Sequence, residues 1–322
     1  MTHWTASDIP SQRGRTAVVT GTGGLGFQDA LALARAGASV IVAGRNRSKG
    51  AAAVHRIRQE VPGAQVAFGL VDLASLDSIR TFAESLCSSQ ERLDLLINNA
   101  AVMAPPKRQS TADGFELQFG TNYLGHFALT ARLLPLLRKG NQARVVTLSS
   151  VAARSGTIDF DDLQAGRDYK PMQAYSQSKL ACLMFALELQ RRSDAGGWGV
   201  QSIAAHPGIS RTDLLPNGAG ASSVAGMLRR FMWFLFQPAE QGALPTLFAA
   251  TSPQARGAAY YGPARLGETR GHPTSAAIPP QALDATAAAR LWSVSEELTG
   301  TVFPADPVPS DAHQGVRHLH AP

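Results

Sequence analysis

Cysteine is almost missing from this chain: Cys87 and Cys182 are the only two in 322 residues, too few for a disulfide framework or a four-ligand structural zinc site. Both lie in apolar stretches with helical spacing, which predicts buried free thiols. Long apolar runs are missing too. The longest, residues 231–236, falls far below the ~20 residues that cross a bilayer, and residues 1–10 hold no apolar secretory core. These absences predict a cytoplasmic protein without an integral membrane segment. Lys and Arg are scattered, with no basic helix, no zinc-ligand spacing and no aromatic RNA-binding signature, so neither a metal nor a nucleic-acid partner is expected. The formal charge of +6 still suits a small molecule that carries phosphate.

What is present is a rhythm. Short β-branched runs at 16–20, 39–43, 65–71, 93–97, 144–148 and 200–204 read as strands buried on both faces. Helical patterns at 28–35, 49–59, 76–86, 122–137 and 174–190 fill the gaps between them. Alternation of this kind predicts an α/β, Rossmann-type doubly wound parallel sheet with helices on both faces. A single domain over residues 14–304 is expected, with a disordered tail at 305–322. Within it, a Gly/Pro/Ser-rich stretch from Pro207, the apolar run 224–236 and a helix-like run at 239–250 read as a flap over about 209–250.

Directly after the first strand comes Thr20 followed by Gly21, Thr22, Gly23, Gly24, Leu25 and Gly26, opening a helical run. Glycines permit a tight turn and close backbone approach, and unpaired N–H groups at a helix start attract a pyrophosphate. Dinucleotide folds specific for NAD carry a carboxylate at the end of the second strand, to bind the ribose hydroxyls. Here that position reads Arg45, Asn46, Arg47. A guanidinium fork matches a 2′-phosphate, so NADP(H) is preferred and NAD(H) is the alternative. Asp72 and Leu73 end the third strand, where a carboxylate meets the adenine edge, and Asn99, Ala100 and Ala101 follow the fourth, at the sheet's mouth.

Tyr175 and Lys179 are four apart in a helix-forming run, hence on one face a turn apart. The ammonium favours the phenolate through which a tyrosine exchanges a proton. Ser150, at the end of the fifth strand, can hydrogen-bond a substrate oxygen as charge develops on it. Asn122, in Thr121-Asn122-Tyr123-Leu124-Gly125-His126-Phe127, can hold a water that relays protons to Lys179.

Taken together and in this order, the glycine turn, Asn98-Asn99-Ala100, Asn122, Ser150, Tyr175-x-x-x-Lys179 and Pro207-Gly208 resemble the short-chain dehydrogenase/reductase family over about residues 14–262. The run around Asn122 and the long gap from Ser150 to Tyr175 are similar to its branch of retinol dehydrogenases, WW-domain oxidoreductases and protochlorophyllide reductases. The resemblance implies a catalytic tetrad of Asn122, Ser150, Tyr175 and Lys179, with Tyr175 protonating a carbonyl oxygen. It implies cofactor contacts at Pro207, Gly208, Ile209 and Thr212, a structural role for His206, and the strand order 3-2-1-4-5-6-7 with residues 259–261 as the seventh strand. It also implies a homo-oligomer joined through the helices that bear Asn122 and Tyr175.

Two departures stand out: the loop from Gly21 to Gly26 is one residue shorter than the family's, and Ala101 replaces a usual glycine. The run 224–236 falls where the family has its substrate flap, implying a small to medium apolar carbonyl or alcohol as substrate. Arg229 and Arg230 beside it admit peripheral membrane contact. The function so read is NADP(H)-dependent interconversion of a carbonyl and an alcohol. The alternative is an NADP(H)-binding sensor or scaffold whose short glycine loop has lost productive geometry.

Overall fold

A computed structural model describes residues 3–209 and 237–304. The apolar run 224–236, Thr212, Arg229, Arg230 and the tail 305–322 lie outside the described residues. Seven parallel strands are found among the described residues: β1 (Thr16–Thr20), β2 (Ser39–Gly44), β3 (Val66–Leu70), β4 (Leu95–Asn98), β5 (Arg144–Leu148), β6 (Gln201–Ala205) and β7 (Tyr260–Arg265). An eighth, β8 (Arg270–Ser275), returns antiparallel along β7, so the sheet order is 3-2-1-4-5-6-7-8. The expected seven-strand order is thus present and extended by one. β8 escapes pattern reading because it is an edge strand, half-buried at best, whose residues Arg270-Gly271-His272-Pro273-Thr274-Ser275 show no apolar alternation.

The central strands are apolar on both faces because both faces are covered. Within β1, Val18 belongs to one core and Ala17 and Val19 to the other. The second core is roofed by α1 (Gly24–Arg35), α2 (Arg47–Glu60) and α7 (Leu244–Thr251), preceded by the short α6 (Ala239–Gly242). The first is roofed by α3 (Leu76–Ser89), α4 (Gly125–Leu137), α5 (Pro171–Gly196) and α8 (Ala285–Thr299). Side-chain caps set where several helices start: Asn46, Ser75 and Asp284 accept from the backbone N–H of Lys49, Ser78 and Ala287. In α3 the buried stripe is Ile79, Phe82, Ala83 and Leu86. Cys87 falls just past it and is exposed, contrary to expectation, whereas Cys182 is buried.

Helix α8 lies over α4 and α5. Its Trp292 meets Phe127 edge-on at 5.1 Å and stacks on Phe185 at 5.7 Å, and Phe303 closes against Phe127, Trp198 and Trp292. Ser295 of α8 shares a 2.7 Å hydrogen bond with the buried Tyr123 hydroxyl. Among the described residues, no helix is long and apolar enough to cross a membrane.

Candidate active site

The glycine turn is built by close approach. Gly21 has φ +104° and Gly24, the first residue of α1, has φ +51°, both in the region that favours glycine. A Cβ on Gly21 would lie 2.6 Å from the Asn99 amide nitrogen, and one on Gly26 would lie 2.6 Å from that nitrogen and from the Gly21 carbonyl. Two glycines at positive φ thus carry the chain from β1 into α1. The N-cap of α1 is Gly23, with no side chain to cap the helix, so its first N–H groups remain available to an anion. Past β2, Arg45 and Arg47 are exposed, and neither has an ion-pair partner among the described residues. An uncapped helix start beside unpaired guanidinium groups fits the pyrophosphate and 2′-phosphate of a dinucleotide.

Other expected contacts are partly committed to the fold. The Asn46 side chain accepts from Lys49 N–H at 2.9 Å and Asp72 accepts from Ala74 N–H at 3.0 Å, each closing a turn that leads into a helix. Leu73 is buried in the core. Asn99 donates to the Thr20 carbonyl at 2.7 Å, holding the fourth strand's end against the glycine turn. Ala101 does not lie at positive φ, so its methyl group needs no backbone conformation reserved for glycine.

The four expected reacting groups sit on three elements tied to one another. Asn122 lies in a π-helical turn, Phe119–Leu124, that leads directly into α4; turns of this kind recur at functional sites. Its amide donates to the Val102 carbonyl at 2.9 Å and to Ser178 Oγ at 3.0 Å, and its Oδ1 accepts from Val102 N–H at 2.7 Å. Ser178 adjoins Lys179 and donates to the Tyr175 carbonyl at 2.8 Å. Lys179 Nζ donates to the Leu148 carbonyl at 2.9 Å and sits 6.0 Å from the Tyr175 ring centroid. Ser149 Oγ donates to the Lys179 carbonyl at 2.7 Å. The strand end before Ser150 is thereby bolted to the helix that carries Tyr175 and Lys179. Ser150 itself caps a 3-10 turn, Val151–Ser155, accepting from Ala152 N–H at 3.2 Å.

A family model for short chain dehydrogenase matches residues 15–219. The chain belongs to the short chain dehydrogenase family. It is 41% identical over 298 residues to polyprenol dehydrogenase of Mus musculus, covering 91% of this chain and 86% of that protein. To retinol dehydrogenase 13 of Homo sapiens it is 41% identical over 295 residues, covering 90% and 86%. A solved structure of an uncharacterized protein from Mycobacterium paratuberculosis superimposes with a TM-score of 0.78 at 42% identity, covering 94% of this chain and 100% of that one. These relatives set it in the retinol dehydrogenase-like branch, an oxidoreductase of alcohols and carbonyls that works with a nicotinamide cofactor.

One residue of the dehydrogenase escaped the sequence reading. His126, 2% exposed, bridges the glycine turn and the π turn. Its Nδ1 lies 2.8 Å from the Asn122 carbonyl, which can only accept, so Nδ1 carries the hydrogen and Nε2 accepts from the Thr20 hydroxyl at 2.9 Å. That hydroxyl in turn accepts from the N–H groups of Asn99 and Ala100 at 2.9 and 3.0 Å. Burial, helped by the Lys179 charge, pushes His126 down to about 4, so the ring is neutral and its tautomer is locked. The Asn122 carbonyl also accepts from the buried Cys182 thiol at 3.2 Å. The available signal is a histidine four residues after Asn122 in a mostly apolar helical run, hence on the same face.

At the far end of the dehydrogenase's site, the Pro207–Gly208 turn follows β6. Gly208 has φ +63°, and a Cβ there would lie 2.3 Å from the Thr269 carbonyl, so both conformation and space require glycine. Ile209 is partly exposed and donates its N–H to that carbonyl at 2.8 Å. The Gln237 amide donates to the Pro207 carbonyl at 2.6 Å.

Proposed function

We propose that this short chain dehydrogenase uses NADP(H), with NAD(H) as the weaker alternative, to interconvert a carbonyl and an alcohol on a small to medium apolar molecule. The observation that carries the reading is the hydrogen-bonded set of Asn122, Ser178, Lys179, Leu148 and Ser149, which gathers the turn of Asn122, the strand end before Ser150 and the helix of Tyr175 beside the glycine turn. Support for an apolar substrate comes from relatives named for polyprenol and retinol, both apolar alcohols.

When bound, the cofactor supplies or takes up a hydride at nicotinamide C4. Gly21–Gly26 and the start of α1 would hold its pyrophosphate, Arg45 its 2′-phosphate, and Pro207–Ile209 its carboxamide. The Ser150 hydroxyl bonds the substrate oxygen, stabilising charge as it develops. Tyr175 gives its phenolic proton to that oxygen in reduction and takes one from it in oxidation. An ammonium has three hydrogens, and with one on the Leu148 carbonyl, Lys179 keeps two for the nicotinamide ribose and the tyrosine. Both amide hydrogens of Asn122 and its backbone carbonyl are engaged, so a relay water is left the second lone pair of Oδ1.

Tyr175→Phe should lower turnover by about 10³-fold while NADPH binding, followed by fluorescence, stays within about twofold. Unchanged turnover would sink the mechanism, and tight NADPH binding with no turnover of any carbonyl by the unaltered chain would favour a sensor. Arg45→Ala should weaken NADPH by about tenfold or more, the order of one lost charge-assisted contact, and leave NADH nearly unaffected. Equal losses for the two would refute the assignment of Arg45.

A further inference from the structure

The β7–β8 hairpin, absent from the strand order that the family resemblance implies, carries an unusual turn. Leu266, Gly267 and Glu268 all have positive φ, at +52°, +64° and +65°. Gly267 adopts that conformation freely, but the side chains of Leu266 and Glu268 on either side rarely do, and they persist in it only where their surroundings hold them. Glu268 supplies the hold. Its Oε2 lies 2.9 Å from His206 Nε2 and 2.6 Å from an Arg154 guanidinium nitrogen, and its Oε1 accepts from Ala277 N–H at 3.0 Å.

Each side-chain partner leads to a different wall of the site. His206 immediately precedes Pro207 and is fully buried, in space left by Gly262, where a Cβ would lie 2.0 Å from the ring. His206 Nδ1 accepts from Gly208 N–H at 3.2 Å, so Nε2 carries the hydrogen given to Glu268. Arg154 belongs to the turn that Ser150 caps, and it also donates to the Gly267 carbonyl at 3.2 Å. One carboxylate therefore holds the Pro207–Gly208 turn through a histidine and the turn after Ser150 through an arginine. Charge-assisted bonds of this kind are short and directional, and they fix geometry more firmly than neutral ones.

We infer that Glu268 is a positioning residue for the nicotinamide half of the cofactor, acting through His206 on the Pro207–Gly208 turn and through Arg154 on the turn at Ser150. The inference rests on the NADP(H) reading given above. It concerns one half of the cofactor because, among the described residues, Glu268, His206 and Arg154 share no hydrogen bond with Gly21–Gly26 or Arg45.

Two probes separate the halves: NADP⁺, and adenosine 2′,5′-bisphosphate, which has the 2′-phosphate but no nicotinamide. Their dissociation constants are to be measured by calorimetry on the full chain. Glu268→Ala should weaken NADP⁺ by about tenfold and the bisphosphate by less than about twofold. Glu268→Gln, which keeps an acceptor for His206, should recover most of the loss. Arg154→Met alters a side chain that is 41% exposed, and it should give a smaller loss with the same selectivity. Equal weakening of both probes, or of neither, overturns the proposal. If Glu268→Ala loses its cooperative thermal transition, Arg154→Met decides, and the absence of a selective loss there overturns it. Failure of the unaltered chain to bind either probe overturns the cofactor reading itself, and this inference with it.

Discussion

A carboxyl group taken out of water without a partner resists ionising, and that resistance registers as a dependence of stability on pH. Asp29, in the second turn of α1, is fully buried and neither of its oxygens has a hydrogen-bond partner, so burial raises its pKa well above the ordinary carboxylate value. Below about pH 4 the group is protonated whether the chain is folded or not, and it costs nothing on this account. As pH rises further, the unfolded chain releases the proton and the folded chain keeps it, so stability falls until the folded pKa is reached. Asp29→Asn preserves the shape and removes the titration. Its melting temperature relative to the unaltered chain should rise as the pH climbs above the ordinary carboxylate range; a flat difference would show that Asp29 ionises freely in the fold. Nothing in the structure explains why an aspartate stands there.

At the scale of elements, what could be read in advance depended on how local the cause is. β1 and β5 are legible to the residue because both faces are buried and every position but Arg144, at the start of β5, is apolar or β-branched. β8 was not, because an edge strand held by β7 needs no apolar face. Cys87 was misread because the stripe of α3 passes one position to its side. The same division runs through the site. Tyr175 and Lys179 announce themselves by a spacing of four, and the glycine turn by its place between a strand and a helix. Asn46 and Asp72, expected as cofactor contacts, also have side chains that cap or close turns. The bridge from Thr20 through His126 to Asn122, and the one from Glu268 to His206 and Arg154, join residues as much as 114 positions apart, since 268 − 154 = 114. No local pattern encodes such contacts; they exist only once the sheet has brought its strand ends together.

For the molecule as a whole, the strand ends of the sheet carry the glycine turn after β1 and the turns that follow β4, β5 and β6, and α8 covers α4 and α5. Trp292 and Phe303 cover Phe127 of α4 and Phe185 of α5, and Ser295 holds Tyr123, the neighbour of Asn122. The family resemblance implied association through the very helices that α8 covers. Association through the face that α8 covers would have to displace it from that aromatic cluster, and uncovering costs about 1.5–3 kcal/mol for each large side chain. A dimer joined through the α8-covered face of α4 and α5 is therefore not expected, and cross-linking of two chains through that face would contradict this. By supplying that cover from its own α8, the chain keeps α4 and α5 packed without a second copy, and its rate per chain should stay constant as the solution is diluted.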